Sequence, residues 1–229
     1  MSTVTFTGVN VAFDELQVLS NINLTLTERR IGIIGANGGG KSTLVRLING
    51  LADPTSGSVS VDGLDVAAKG KEVRRKVGFV FSDAENQIVM PTVADDIAFS
   101  LRRMKLPKEE KKQRVAHMLK RFGLENHADH SPHQLSGGQK QLLALASVLI
   151  LEPDLIIADE PTTLLDMINR RKISRVFAEL DQQLIVVTHD LDFLTGFDRV
   201  LCIDDHHVVA DGAPDEVIGY YEKLMESRA

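Results

Sequence analysis

The stretch Ile31-Gly32-Ile33-Ile34-Gly35-Ala36-Asn37-Gly38-Gly39-Gly40-Lys41-Ser42 decides how this sequence is read. Its opening run is short, apolar and unbroken, the habit of a strand buried on both faces of a parallel sheet. From Ser42 to Leu51 the apolar residues return at a spacing near 3.6, which predicts a helix. Between strand and helix stands G-x-x-x-x-G-K-S, a pattern that carries meaning only in that setting. The glycines let successive backbone N–H groups turn toward one centre, and the start of the helix aims its positive end at the same place. Asn37, Gly38, Gly39, Gly40, Lys41, Ser42 and Thr43 are therefore candidate phosphate ligands. Lys41 adds a full charge able to reach terminal phosphates. The Ser42 hydroxyl is placed to ligate the Mg²⁺ that accompanies them.

Working outward, Leu155-Ile156-Ile157-Ala158-Asp159-Glu160 is a second apolar strand. It ends in two carboxylates at the carboxyl edge, where open α/β sheets bind ligands. Asp159 is expected to hold Mg²⁺ through a water, and Glu160 to polarise a water that attacks the γ-phosphate. Val77 to Phe81, Leu184 to Val187 and Val200 to Ile203 complete the set of buried strands. Lys108 to Arg121, Gly138 to Leu151 and Met167 to Leu180 read as helices between them. Val4 to Phe13 and Ile22 to Leu26 read as an antiparallel β part at the N-terminus. The expectation is an α/β phosphate-loop NTPase core with a mostly parallel sheet, one domain over residues 1–229, and a helical subdomain at about 82–152.

Composition narrows the setting. The longest mostly apolar stretch, Leu142 to Leu151, spans ten residues, whereas a membrane-spanning helix needs about twenty. The lone Cys202 has no internal disulfide partner and reads as a structural thiol of a cytosolic protein. A net charge of −6 argues against nucleic acid as a partner. Charge is uneven all the same: nine Lys/Arg fall within residues 102–121, either a solvated helix face or a surface near anionic lipid headgroups. His127, His130 and His133 recur every third residue. They read as a polar loop, with a metal site as the alternative.

Leu135-Ser136-Gly137-Gly138-Gln139 resembles the signature of ATP-binding-cassette ATPases, and the other family elements follow in family order. Thr162-Thr163-Leu164-Leu165-Asp166 looks like the D-loop, Val187-Thr188-His189-Asp190 like the switch-histidine segment. Phe13 stands where the family often stacks an aromatic on adenine. The resemblance spans nearly the whole chain. It implies ATP with Mg²⁺ as cofactors and Glu160 and His189 as catalytic residues. It also implies nucleotide contacts from Phe13, Ser136, Gly137, Gly138, Gln139 and Asp166. Ser136, Gly137 and Gly138 also open a helix and so form an anion site or a local cap, and Asp166 is equally suited to capping the Met167 helix. Phe13 reads as well as a strand-end core aromatic.

Two positions depart from the family pattern. Ser82 stands where the family places its Q-loop glutamine, with Gln87 five residues on as a substitute, so both are metal-ligand candidates. Gly39 replaces a common serine at a position that contributes backbone N–H. Within the family, Val80 to Ser100 resembles the ATPases of energy-coupling-factor importers. The short turn Thr27 to Arg30 and the chain end soon after Gly212 lean toward the biotin branch, with cobalt or nickel import as the alternative. The resemblance thus implies a peripheral ATPase on the cytoplasmic face of the membrane. Its expected partners are a second cassette subunit, identical or different, a transmembrane coupling protein and a substrate-binding membrane protein. A soluble cassette acting on nucleic acid or ribosomes is the non-transport alternative.

Overall fold

The apolar runs become strands because backbone groups buried among Ile, Leu and Val must pair with one another. In the computed structural model, which describes residues 1–163 and 165–228, β3 (Arg30–Gly35) buries all six of its residues. It lies in a parallel set with β7 (Leu155–Asp159), β8 (Gln183–Val187) and β9 (Arg199–Asp204), in the order β9-β3-β8-β7. An antiparallel edge strand, β10 (His207–Gly212), pairs with β9. A second sheet is antiparallel: β1 (Val4–Phe13), β2 (Leu16–Leu26), β4 (Ser56–Val61) and β5 (Leu64–Asp65), in the order β2-β1-β4-β5. With α1 (Lys41–Ile48), α2 (Val66–Lys76) and α7 (Pro214–Glu226), these strands form one compact unit, residues 1–77, 154–160 and 181–229. Ile34, Leu194, Val200, Cys202 and Val217 make one of its core clusters, with Tyr221 of α7 packed against it.

The other unit covers residues 78–153 and 161–180. β6 (Val77–Val80) carries the chain into it. There α3 (Val93–Ser100), α4 (Lys108–Phe122), α5 (Gly137–Leu149) and α6 (Met167–Ala178) pack together. Its interior is supplied by Ile97, by the stripe Val115, Met118, Leu119 and Phe122, and by Leu142, Leu143 and Leu145. The helical part is thus larger than the sequence expectation of 82–152. It gains α6, because Asn169 packs so close over Gly138 that a side chain there would collide.

Several elements escape the periodicity reading. β2 begins six residues before the expected Ile22, and β10 alternates exposed and half-exposed residues on an edge. α2 is mostly polar and kinks at Lys69, held at its start by Asp65, which accepts from Ala68 N–H at 2.8 Å. On α4 the Lys and Arg residues lie outside the buried stripe. Lys112 pairs with Glu109, Arg114 pairs with Glu110 and Glu152, and before the helix Arg102 stacks over Phe99. Among the described residues no helix is long and apolar enough to cross a membrane.

Candidate functional site

The loop between β3 and α1 is built around glycines, two of them, Gly38 and Gly40, in a backbone conformation that other residues rarely adopt. Gly40, the N-cap of α1, has φ +96°, and a Cβ there would meet Val18 O at 2.6 Å. Gly38 has φ +80° with open space around it, so a ligand can approach its backbone closely. α1 has no side-chain cap, which leaves the N–H groups of its first turn, Ser42 and Thr43 included, directed at the loop. Lys41 is buried, and its ammonium donates to Gly35 O at 2.9 Å and Ala36 O at 2.8 Å. Burial pulls its pKa down while Glu160 and Asp159 push it back up.

Register brings the carboxylates to the same edge. Asp159 pairs with Val187 across β7 and β8, and Glu160 N–H donates to Val187 O at 2.8 Å. Glu160 then takes φ +52°, a left-handed backbone that β sterics disfavour and that turns the side chain out of the strand direction. Its Oε2 lies 2.9 Å from His189 Nδ1. Asp159 accepts from Ser42 Oγ at 2.8 Å and from Arg46 at 3.4 Å. Burial raises its carboxyl pKa, against the lowering by Ser42 and Arg46. Arg46 is a residue that motif reading missed. Its signal was the i, i+4 spacing from Ser42, which puts both on one face of α1.

In the helical unit, Ser136 N-caps α5. Its Oγ accepts from Gln139 N–H at 3.3 Å, and Gln139 Oε1 accepts from Ser136 N–H at 2.9 Å, a closed capping box. Ser136 and Gly137 are exposed, so the positive end of α5 is open. Asp166 caps α6, accepting from Asn169 N–H and Asn169 Nδ2, both at 2.8 Å.

The comparisons with known proteins bear directly on this geometry. The profile described as ABC transporter matches residues 19–163, which takes in the phosphate loop, the signature, Asp159 and Glu160.

The chain belongs to the ABC transporter family.

A putative ABC transporter ATP-binding protein of Bartonella henselae is 52% identical over 98% of this chain and 100% of the relative. The biotin transport ATP-binding protein BioM of Rhizobium etli is 45% identical over 96% of this chain and 98% of the relative. Among solved structures, cbiO1 of Clostridium perfringens, part of the ABC transporter complex cbiONQ, has a TM-score of 0.84 at 34% identity, covering 97% of this chain and 93% of that one. A dimeric bacterial ABC transporter cassette has a TM-score of 0.83 at 31% identity, covering 92% and 98%. The chain is accordingly an ATP-binding ATPase of the ABC transporter family.

Other sequence-derived candidates sort by where the ABC fold puts them. Phe13 is not a core aromatic: it is 57% exposed at the β1–β2 turn, opposite Leu16. Gln87 is turned back on its own unit, accepting from Phe81 N–H at 3.2 Å and donating to Phe79 O at 3.3 Å. Its amide therefore tethers the segment after β6. Ser82 lines a cavity with Asp83, Gly137, Gln141 and Thr163. In the D-loop string, Leu164 lies outside the described residues. His127 uses both ring nitrogens on neighbouring side chains, and among the described residues no group of three His, Cys, Asp or Glu gathers to hold a metal ion. A Mg²⁺ held with phosphates is a different case, because it needs only one or two protein oxygens. Ser42 Oγ and the Asp159 carboxylate, 2.8 Å apart, supply that hard donor set.

Proposed function

We propose that this chain is the ATP-hydrolysing subunit of an energy-coupling-factor type importer that takes up a vitamin such as biotin. Two cassettes close head to tail on the cytoplasmic face of the membrane and drive a transmembrane coupling protein and a substrate-binding membrane protein. The likeness to BioM supports the biotin assignment, and the dimeric cassette supports the pairing.

The observation that carries the hydrolytic reading is the Glu160–His189 contact of 2.9 Å at the edge beside the phosphate loop. In this reading the N–H groups from Gly38 to Thr43 and the Lys41 ammonium hold the phosphates. Ser42 and Asp159 would hold Mg²⁺, which supplies positive charge against the β- and γ-phosphate oxygens. Glu160 accepts a proton from the attacking water. His189 Nδ1–H donates to Glu160 Oε2 and fixes its direction, leaving His189 Nε2 for the γ-phosphate. Phe13 stacks on adenine. Ser136, Gly137, Gly138 and Gln139 of one copy, with Asp166, complete the nucleotide site of the other.

The deciding experiment is capture of the chain from the membranes of its own cells. Co-purifying membrane proteins that confer ATP-dependent biotin uptake establish the reading. Uptake of cobalt or nickel instead moves the substrate, and recovery with ribosomes or nucleic acid overturns transport.

A further inference from the structure

The turn before the signature helix holds two histidines that the proposed cycle does not use. The Nδ1 atoms of His127 and His130 lie 3.2 Å apart, and His127 Nε2 lies 3.1 Å from Gln139 Nε2. One fixed point sets every proton. Ser136 N–H donates to Gln139 Oε1 at 2.9 Å, so the other end of that amide is NH₂ and can only donate. His127 Nε2 therefore accepts, which leaves the proton of the neutral ring on Nδ1. That N–H donates to His130 Nδ1, which must accept. The chain Ser136–Gln139–His127–His130 closes only when both imidazoles are neutral. A proton added to His127 goes to Nε2 and faces the Gln139 NH₂ group. One added to His130 goes to Nδ1 and faces the His127 N–H. Either sets donor against donor.

The turn itself is held from two sides. His127 N–H donates to Leu124 O and His130 N–H to His127 O, both at 2.9 Å, while Val93 and Ala94 N–H at the start of α3 donate to His130 O and Ala128 O. Charged and titratable groups on the surrounding elements are Lys120 and Arg121 at the end of α4, Glu125 and Asp129 in the turn, Asp95 on α3, and His133 and Lys140 toward α5. Asp95 is bonded to Thr92 Oγ1, and Lys140 to Glu85.

We propose that His127 is a positioning residue for the signature helix. In its neutral form it orients the Gln139 amide that closes the cap on Ser136, and acidification opens that cap through the His127–His130 pair. The inference rests on the nucleotide role given to Ser136 above.

The test compares ATPase activity of the full chain at pH 8 and pH 6 for the parent and for His127→Gln, His127→Leu and Ser136→Ala. Glutamine at 127 keeps an acceptor for Gln139 and a donor for His130 but does not titrate. We expect His127→Gln to match the parent at pH 8. At pH 6 the parent-to-variant ratio should fall about threefold, because only the parent can set donor against donor in the Gln139–His127–His130 chain. His127→Leu should raise the apparent KM for ATP at both pH values with an unchanged thermal midpoint. Any pH effect that does not pass through residue 127 is common to parent and variants and cancels in the ratio. A His127→Gln profile that tracks the parent, or a His127→Leu enzyme equal to the parent, overturns the proposal. Ser136→Ala separates the two levels. If it is harmless, the signature role itself fails. If it is impaired while His127→Gln still tracks the parent, only the histidine link fails.

Discussion

Glu160 sits at a backbone conformation that costs of order 1 kcal/mol or more to hold for a non-glycine residue, and its carboxylate is met by His189 at 2.9 Å. Other acidic residues, Asp14, Asp62, Glu152 and Asp205, share a positive φ, so it is the His189 contact that marks Glu160 as the general base of the proposed cycle. Glu160→Gln should therefore slow turnover about 10²- to 10⁴-fold while leaving ATP-driven dimer formation in place. Steady-state ATPase assays paired with gel filtration check both halves, and full activity would remove Glu160 from the role. Cys202 tests the opposite kind of site. Burial, with Asp204 adding to it, pushes its thiol pKa up to about 11. At pH 8 the thiol stays protonated and enclosed, so a thiol reagent should label it only after unfolding. Rapid labelling of the native chain would contradict its placement in the core beside β3.

At the scale of elements, one buried carboxylate holds the entry to α3. Asp96, 4% exposed, accepts from Val89 N–H at 2.8 Å and Met90 N–H at 3.0 Å through one oxygen, and from Ser147 Oγ at 3.2 Å through the other. Asp96→Ala leaves those donors without their partner, a loss of about 1–3 kcal/mol. It should lower the denaturation midpoint and open residues 88–91 to protease, whereas an unchanged midpoint and digestion pattern would show the segment held by other means. α3 also shows why some elements were not visible in advance. Its eight residues are too few for periodicity to speak, and its helix is specified by the Thr92 cap, which accepts from Asp95 N–H. The long apolar α5, although it too is capped, and the fully buried β3, β7 and β8 were visible from their apolar runs alone, because burial leaves consecutive apolar residues.

At the scale of the whole molecule, the phosphate loop and the signature belong to different compact units of one chain. In the proposed cycle each completes a site only with a second copy. Lys41→Ala should then weaken ATP binding and abolish ATP-dependent dimerisation, read by nucleotide titration and by light scattering. Dimers that still form with ATP would separate association from phosphate binding.

The phosphate loop, Asp159, Glu160, the signature and His189 were legible in the sequence because each depends on a short local order: strand, turn, then a residue of fixed chemistry. The α/β alternation was legible for a related reason, since burial on both faces writes itself into consecutive residues. Tertiary structure alone decided matters that depend on side chains distant in sequence. It put Arg46 on Asp159, turned Gln87 back onto Phe79 and Phe81, exposed Phe13, and joined His127 to the signature cap through Gln139. Arg46 alone carries a local hint, its i, i+4 spacing from Ser42 on α1, and no local pattern encodes the other contacts. A side chain's partner is set by which elements pack together, and polar residues outside the core carry no periodic mark of it.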